Sequence, residues 1–269
     1  MTDLRALLRI ASKAVDLATA VVGKTAVGTV TAKGDRDMVS DIDFAVEEKV
    51  REFLTRETPE IGFLGEENGG SGIEGPLTWA LDPVDGTANL VNGLPLCAVS
   101  LGLIDNNESV LGVIDLPFLG QRFQAARGHG VHNGDIRIQA SRASSLGEAI
   151  VSIGDYAVGE GANERNRERL AMTRILSERV LRVRMFGSAA IDLAWVASGK
   201  LDACIALSNH PWDMAAGTAI AREAGALVMD SKGEPHMLSS RATVAVAPGL
   251  REDILKVLAD MTSATRPAA

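Results

Sequence analysis

The stretch Trp79-Ala80-Leu81-Asp82-Pro83-Val84-Asp85-Gly86-Thr87-Ala88-Asn89 decides how this 269-residue chain is read. A short apolar strand, Thr78 to Leu81, runs into a polar turn. Pro83 fixes its own φ and lacks a backbone donor, and Gly86 reaches backbone angles closed to other residues. The turn therefore holds the carboxylates of Asp82 and Asp85 in a fixed relation, with the Val84 carbonyl between them. Three hard oxygen donors at this spacing suit Mg²⁺, which prefers octahedral oxygen coordination and keeps some water. Beside them, Gly86 and Thr87 offer backbone N–H groups and a hydroxyl, which can hold a phosphate at a turn or helix start. Taken alone, Asp-Pro-x-Asp-Gly is most often a capped turn. It is no EF-hand loop, because the twelfth position from Asp82 is Gly93 rather than a bidentate glutamate. Ligands from elsewhere in the chain must decide.

Toward the N-terminus, Ile61 to Leu64 is a brief strand ending in Gly65-Glu66-Glu67-Asn68. It lies one strand-loop-strand step before Asp82, so one sheet edge can present both Glu66 and Asp82. Ser40-Asp41-Ile42-Asp43 precedes a helical pattern through Val46, Val50, Phe53 and Leu54, with Ser40 and Asp43 spaced as a capping pair. Leu4, Leu7, Leu8, Ala11, Val15, Ala18 and Val22 mark an amphipathic first helix ending near Gly23. Between these helices, Thr29 to Val39 is polar and carries Lys33, Gly34 and Asp35.

Toward the C-terminus, Cys97 to Ile104, Val110 to Asp115 and Arg122 to Ala126 read as an antiparallel meander. Asn133-Gly134 is a hairpin signal, and His129 and His132 just before it read as loop, with metal binding the minor alternative. The Ser-rich segment Ser141 to Leu146 marks a lobe boundary, giving lobes 1–142 and 143–269. Beyond it strands at 149–153, 180–183 and 202–207 alternate with helices at 163–177 and 188–198, an α/β pattern. Asp155 to Arg169 is a charged loop and helix start that can border a substrate. His210-Pro211-Trp212-Asp213 leads into a helix over 214–224, with Asp213 expected as its N-cap. Strands at 226–230 and 242–247, a helix over 252–258 and a frayed tail from Thr262 complete the chain.

A hydrophobic content of 46% and charged content of 23% describe an ordinary globular protein, and a net charge of −8 argues against nucleic acid as a partner. A phosphate substrate is compatible with that charge when divalent cations invert the local field. Cys97 and Cys204 read as buried free thiols in a reducing compartment. The charged N-terminus is no signal peptide, and Gly86 to Ile104, uncharged but broken by Asn89, Asn92, Gly93 and Pro95, is no membrane span. The cytoplasm is the expected location.

Acidic residues at Asp43, Glu66, Asp82/Asp85 and Asp213 thus each stand at a strand exit or helix start. In this combination Val39-Ser40-Asp41-Ile42-Asp43, Gly65-Glu66-Glu67, Asp82 to Asn89 and Trp212-Asp213-Met214-Ala215-Ala216-Gly217 resemble the motifs of the inositol monophosphatase family, Mg²⁺-dependent and lithium-sensitive phosphatases. The resemblance implies a layered αβαβα sandwich, with an α+β lobe and an α/β lobe flanking the site, and usually a homodimer. It assigns one Mg²⁺ to Glu66, Asp82 and the Val84 carbonyl, and a second to Asp82, Asp85 and Asp213. A third, weaker ion would be held near Glu66 through water. Asp43 and Thr87 would activate the attacking water, and Gly86 and Thr87 would bind phosphate. Asp85, Asp213 and Gly187-Ser188-Ala189 would contact the substrate.

The implied reaction is hydrolysis of a small polyol or sugar phosphate by a metal-activated water, with inositol monophosphate the family default. Fructose 1,6-bisphosphate, histidinol phosphate and 3′-phosphoadenosine 5′-phosphate are the alternatives on the same machinery. The family's polyol-contacting glutamate falls at Ala206, whose methyl group accepts no hydrogen bond. Ser208 and Asn209 are candidates to replace it. A bisphosphate would need a basic pocket from Arg165, Arg167, Lys200 or Arg182/Arg184, and an adenine would need Tyr156 or a tryptophan. A regulatory protein keeping the same fold is the reading from another class.

Overall fold

The computed structural model describes residues 2–23, 30–34, 37–71 and 75–265; Thr29 and Asp35 of the polar segment lie outside them. The apolar stripe from Leu4 forms α1 (Leu4–Val22), whose first turn is capped by the Asp3 side chain. A two-stranded hairpin, β1 (Val30–Gly34) and β2 (Asp37–Ser40), leads into α2 (Asp41–Glu57). Then come β3 (Gly62–Gly65), β4 (Gly69–Ser71), β5 (Leu77–Asp85) and the short helix α3 (Thr87–Val91). The meander follows as β6 (Ala98–Asp105), β7 (Glu108–Leu116), β8 (Gln121–Ala126), β9 (Val131–Asn133) and β10 (Ile136–Arg137). These strands form one sheet in the order β10-β9-β8-β7-β6-β5-β3-β4. Within it β3 pairs parallel to β5 and the other ladders are antiparallel. Asn133-Gly134 makes its hairpin, and so does Asn106-Asn107 between β6 and β7, where both residues take positive φ.

The second half supplies β11 (Ile150–Ile153), α4 (Ala162–Arg179), β12 (Arg182–Arg184), α5 (Ala189–Ala197) and β13 (Ala203–Ala206). It ends with α6 (Pro211–Glu223), β14 (Leu227–Met229), β15 (Thr243–Val246) and α7 (Arg251–Thr265). Its sheet runs β12-β11-β13-β15-β14, with parallel pairing around β11 and antiparallel pairing to β15. The tail expected to fray from Thr262 is helical to Thr265, and Thr262 and Thr265 donate back to the carbonyls of Leu258 and Met261.

Alternation sorts the strand residues onto two faces, and each face finds its own helices. Trp79, Leu81, Val99, Leu101 and Leu103 pack under α1 and α2. Ala98, Ile114 and Phe123 face Ile191 and Ala194 of α5 and Ala216 and Ile220 of α6. Cys204 and Ala245 of the second sheet close on Leu193 and Met214 from the other side. Val151, Ile205 and Val244 pack outward against α4 and α7. The result is the αβαβα sandwich, with α5 and α6 as its middle layer. That layer lies so close to the first sheet that a Cβ at Gly102 would stand 2.6 Å from the Cβ of Ala215, and one at Gly112 2.3 Å from the carbonyl oxygen of Ala216. Small residues on both sides let α6 carry Asp213 to the edge of β5.

Candidate active site

Asp82 and Asp85 belong to a bulged strand rather than to a turn that follows one. β5 continues to Asp85, and its register with β6 passes from Asp82↔Ser100 to Asp85↔Ala98, three residues against two. A regular strand would send residues three apart to opposite faces; the one extra residue puts both carboxylates on the same face. Ala80 and Ala98, on that face, pack against the α5–α6 layer. The backbone N–H of Val84 donates to Asp82 Oδ1 at 3.0 Å, which fixes the bulge from inside. Gly86 follows with φ of 92°, and a Cβ there would meet the Leu96 carbonyl oxygen at 2.8 Å. Only glycine turns the chain here into α3.

Asp43 is fully buried in the first turn of α2. Its Oδ2 accepts from the backbone N–H and the hydroxyl of Ser40, at 2.8 and 2.6 Å, so the expected capping pair is present. Its Oδ1 lies 3.2 Å from Thr87 Oγ1, which is also 3.0 Å from the Val84 carbonyl. One helix start and one bulge are thereby joined through a single hydroxyl.

The strand carrying Glu66 is pinned beside Asp82 by the bond from its N–H to the Leu81 carbonyl, 3.2 Å. Its loop is shaped by a residue the sequence reading missed, Glu47. Completely buried, Glu47 accepts from the N–H groups of Glu67 and Asn68 at 2.8 and 3.1 Å and from the Asn68 side chain at 3.0 Å, and pairs with Arg51 at 2.7 Å. A Cβ at Gly65 would fall 2.3 Å from its carboxylate. The signal was present: Glu47 lies one helical turn after Asp43, inside the apolar stripe.

Asp213 reaches the same place from α6. The N-cap there is His210, with Pro211 in the first turn, so Asp213 sits in the third helical position and not at the cap. The missing N–H and fixed φ of Pro211 suit the start of a helix, which moves the boundary earlier than the carboxylate suggests. From α5 and the loop before it, Asp85 Oδ2 receives the Ser188 hydroxyl and the Ala190 N–H, both at 2.6 Å, and Oδ1 receives the Ala189 N–H at 3.3 Å.

Burial raises the proton affinity of Asp82 well above that of an ordinary aspartate, and the nearby charges of Glu66, Asp85 and Asp213 raise it further. Burial likewise pushes Asp85 up to about 6, against the three donors at the start of α5 that pull it down. The structure thus brings Glu66, Asp82, Asp85 and Asp213 into one field, with Asp43 and Thr87 adjoining.

A cavity of about 160 Å³ opens from this group, lined by Asp85, Asp155, Gly187, Ser188, Asp192, Ala206, Ser208 and Asp213 among others. The stacked pair His210 and Trp212 stands at the start of α6. Ser208 lines the cavity, but Asn209 is committed elsewhere. Its amide donates to the carbonyls of Leu238 and Ser240 at 2.9 and 2.6 Å, and its oxygen lies 3.1 Å from the Thr243 hydroxyl and 3.2 Å from His236 Nε2. It fastens the loop before α6 and does not replace the glutamate absent at Ala206. His129 lies in a turn and accepts from Arg5 at 3.1 Å, whereas His132, expected in the loop, belongs to β9 opposite Gln124 and Arg137. The two cysteines are buried and free, as expected.

The donor set matches Mg²⁺ in kind: carboxylates and a main-chain carbonyl, with no imidazole or thiolate among them. Burial first, and then mutual repulsion, raises Asp82, and a divalent cation relieves the repulsion. Among the described residues no three acidic, histidine or cysteine side chains already close on one point, and both Asp85 oxygens are engaged by α5. The set fits an ion, with Asp85 shared between it and the helix start.

Comparison with known proteins agrees with this geometry. The profile of the inositol monophosphatase family matches residues 2–263. This chain belongs to that family. The inositol-1-monophosphatase ImpA of Mycolicibacterium smegmatis is 36% identical over 257 residues, covering 95% of this chain and 92% of that protein. A fructose-1,6-bisphosphatase/inositol-1-monophosphatase of Thermotoga maritima is 32% identical over 84% of each. The structure of an inositol monophosphatase from Anabaena superposes with a TM-score of 0.86 at 30% identity, over 96% of this chain and 97% of the other. As a member of this family the chain is a phosphoric monoester hydrolase. No described helix is long and apolar enough to cross a membrane.

Proposed function

We propose that this hydrolase is Mg²⁺-dependent and acts on a small polyol or sugar monophosphate, inositol monophosphate first among them, by direct attack of water on phosphorus. The observation that carries this reading is the convergence of Glu66, Asp85 and Asp213 on a buried Asp82 beside the Asp43–Thr87 contact. Glu66, Asp82 and the Val84 carbonyl would hold one ion, and Asp82, Asp85 and Asp213 a second, with a third held near Glu66. When bound, Mg²⁺ supplies neutralisation of the ester oxygens, acidification of water and stabilisation of the departing alkoxide.

The chain's own groups do the rest. Asp43, held by Ser40 on one oxygen, offers the other to Thr87, and the pair orients a water and takes its proton. Gly86 and Thr87 hold the phosphate at the start of α3, and Gly187, Ser188 and Ala189 border the carbon skeleton. Covalent catalysis by cysteine is disfavoured. Burial pushes the Cys97 thiol up to about 12 and raises Cys204 well above its usual value, so neither forms a thiolate near neutral pH.

A monophosphate is favoured over a bisphosphate because among the described residues no arginine or lysine lines the cavity. Arg165 donates to the Val158 carbonyl, Lys200 to Gln121, and Arg182 and Arg184 to the carbonyls beside them. Tyr156 is bonded to Thr173. Lithium sensitivity and a homodimer belong to the same proposal. The test is phosphate release with Mg²⁺ from inositol 1-phosphate, fructose 1,6-bisphosphate, histidinol phosphate and 3′-phosphoadenosine 5′-phosphate, with and without Li⁺. Preference for inositol 1-phosphate and loss of activity with Li⁺ support the reading. Release that ignores Mg²⁺, or a preference for a bisphosphate, sinks it.

A further inference from the structure

The cavity has one flank that the phosphate chemistry does not use. Ala206 closes β13, and its methyl group offers a substrate hydroxyl nothing. The neighbouring parallel strand β11 ends alongside: Ile153 is in register with Ile205, and the Gly154 N–H donates to the Ile205 carbonyl at 3.1 Å. A Cβ at Gly154 would touch Ala206 at 3.5–3.6 Å, so the residue after it, Asp155, is the first beyond β11 to bring a functional group to this place. Asp155 lines the same cavity as Ala206, Ser208 and Asp213. Its Oδ2 lies 3.4 Å from where a Cβ on Gly187 would stand, over the loop that feeds Ser188 to Asp85.

Two further facts single this carboxylate out. Among the described residues no donor reaches it: the residue is exposed at the mouth of the cavity, where partial loss of water raises its proton affinity. Its backbone, by contrast, is clamped: Arg169 donates through Nε to the Asp155 carbonyl at 3.0 Å and through a terminal nitrogen to the Leu207 carbonyl at 3.2 Å. Behind it Asp192, 3% exposed, lines the cavity, with its carboxylate beside the buried Ser152. A carboxylate held at the cavity mouth by a clamped backbone, with no protein donor of its own, is placed to meet a ligand hydroxyl.

We propose that the Asp155 carboxylate accepts a hydrogen bond from a hydroxyl on the substrate's carbon skeleton, making it a specificity-determining residue in place of the side chain that Ala206 lacks. This rests on the phosphomonoesterase reading above. It requires a substrate that is polyhydroxylated next to its phosphate-bearing carbon, and it separates such esters from bare alkyl phosphates of the same shape.

The test compares inositol 1-phosphate with cyclohexyl phosphate, the same ring without hydroxyls, for wild type and Asp155→Ala with saturating Mg²⁺. Loss of a hydrogen bond to a charged acceptor lowers the ratio of the two kcat/KM values roughly 10- to 100-fold. The fall should come mainly from inositol 1-phosphate. If the alanine variant is not folded by circular dichroism, Asp155→Asn is read by the same ratio. An unchanged ratio, or an equal loss on both esters, overturns the inference and leaves the phosphatase reading standing. Wild-type silence on both esters overturns both.

Discussion

At one end of the cavity the carboxylates are positioned by main chain; at the other, main chain is positioned by side chains. Asp82 and Asp85 sit on either side of a bulge in the middle of a sheet, and three donors from the start of α5 hold Asp85. Asp155 and Ser208 instead lie just past the ends of β11 and β13, and their loops are tied down from outside by Arg169 and by the Asn209–His236–Thr243 network. The proposed phosphate end is therefore set chiefly by its own main chain. The skeleton end is adjustable, which is where a family sharing one chemistry can change substrates.

The sharpest way to break this comparison is at Asp85. Asp85→Asn keeps the shape but removes the charge and one of the two oxygens that accept from α5, and turnover should fall at least about 1,000-fold, roughly 4 kcal/mol of transition-state stabilisation. The variant should remain folded, and the metal-free form should be the more stable one, because burial and neighbouring carboxylates oppose the charge that is removed. Steady-state kinetics with urea denaturation at neutral pH checks both. Near-normal activity would remove Asp85 from the machinery.

The skeleton end has its own signature, in acid. His236 is buried beside Asn209 and Thr243, and burial, with Arg222 adding to it, lowers its pKa to about 4. The folded-state value lies below the unfolded one, so the stabilisation is complete above pH 6.5. It is lost as the unfolded chain takes up protons down to pH 4, by about 3 kcal/mol in all. His236→Gln should reduce the difference in unfolding free energy between pH 7 and pH 4.5 by roughly 2–3 kcal/mol. An unaltered difference would mean that His236 is free to protonate in the native state.

The phosphate end was legible in the sequence because its chemistry is written in contiguous residues. Pro83 and Gly86 mark the backbone, and Asp82, Asp85 and Thr87 mark the side chains that the proposal uses, even though a bulge was read as a turn. The antiparallel meander was legible for the same reason, since alternation and Asn-Gly are local signals. The skeleton end was not. Asn209 looks like a free polar residue until His236 and Thr243, remote in sequence, are seen to saturate it. Asp155 reads only as one member of a charged loop that can border a substrate, until the parallel pairing of β11 and β13 sets it beside Ala206. Glu47 was hidden differently, as one more acidic residue on a helix whose buried face was read from its apolar members alone.

Glu47 tests whether the phosphate end is as rigid as its backbone suggests. Glu47→Gln retains the size but weakens the charge-assisted bonds to Glu67, Asn68 and Arg51. The loop after Glu66 loosens, and the Mg²⁺ concentration for half-maximal rate should rise roughly tenfold, about 1.4 kcal/mol. Much of the rate should return at high Mg²⁺. An unchanged Mg²⁺ requirement with lowered stability would make Glu47 a core residue only.

The smallest expected effect lies in Arg169, and it separates a clamp from a contact. Its guanidinium is nearly buried and spans three carbonyls, those of Asp155, Arg165 and Leu207. A lysine ammonium is a point donor and cannot hold all three in a planar fork. With Arg169→Lys the Asp155 carboxylate remains but the loops on either side of Ala206 gain freedom. Preference for a polyol ester over cyclohexyl phosphate should fall only about threefold, less than on loss of Asp155 itself, because a flexible acceptor still finds its donor at an entropic cost. A drop as large as that of Asp155→Ala would show that the position of the loop, not the carboxylate, carries the discrimination. No drop at all would show that β11 and β13 hold Asp155 in place without the clamp.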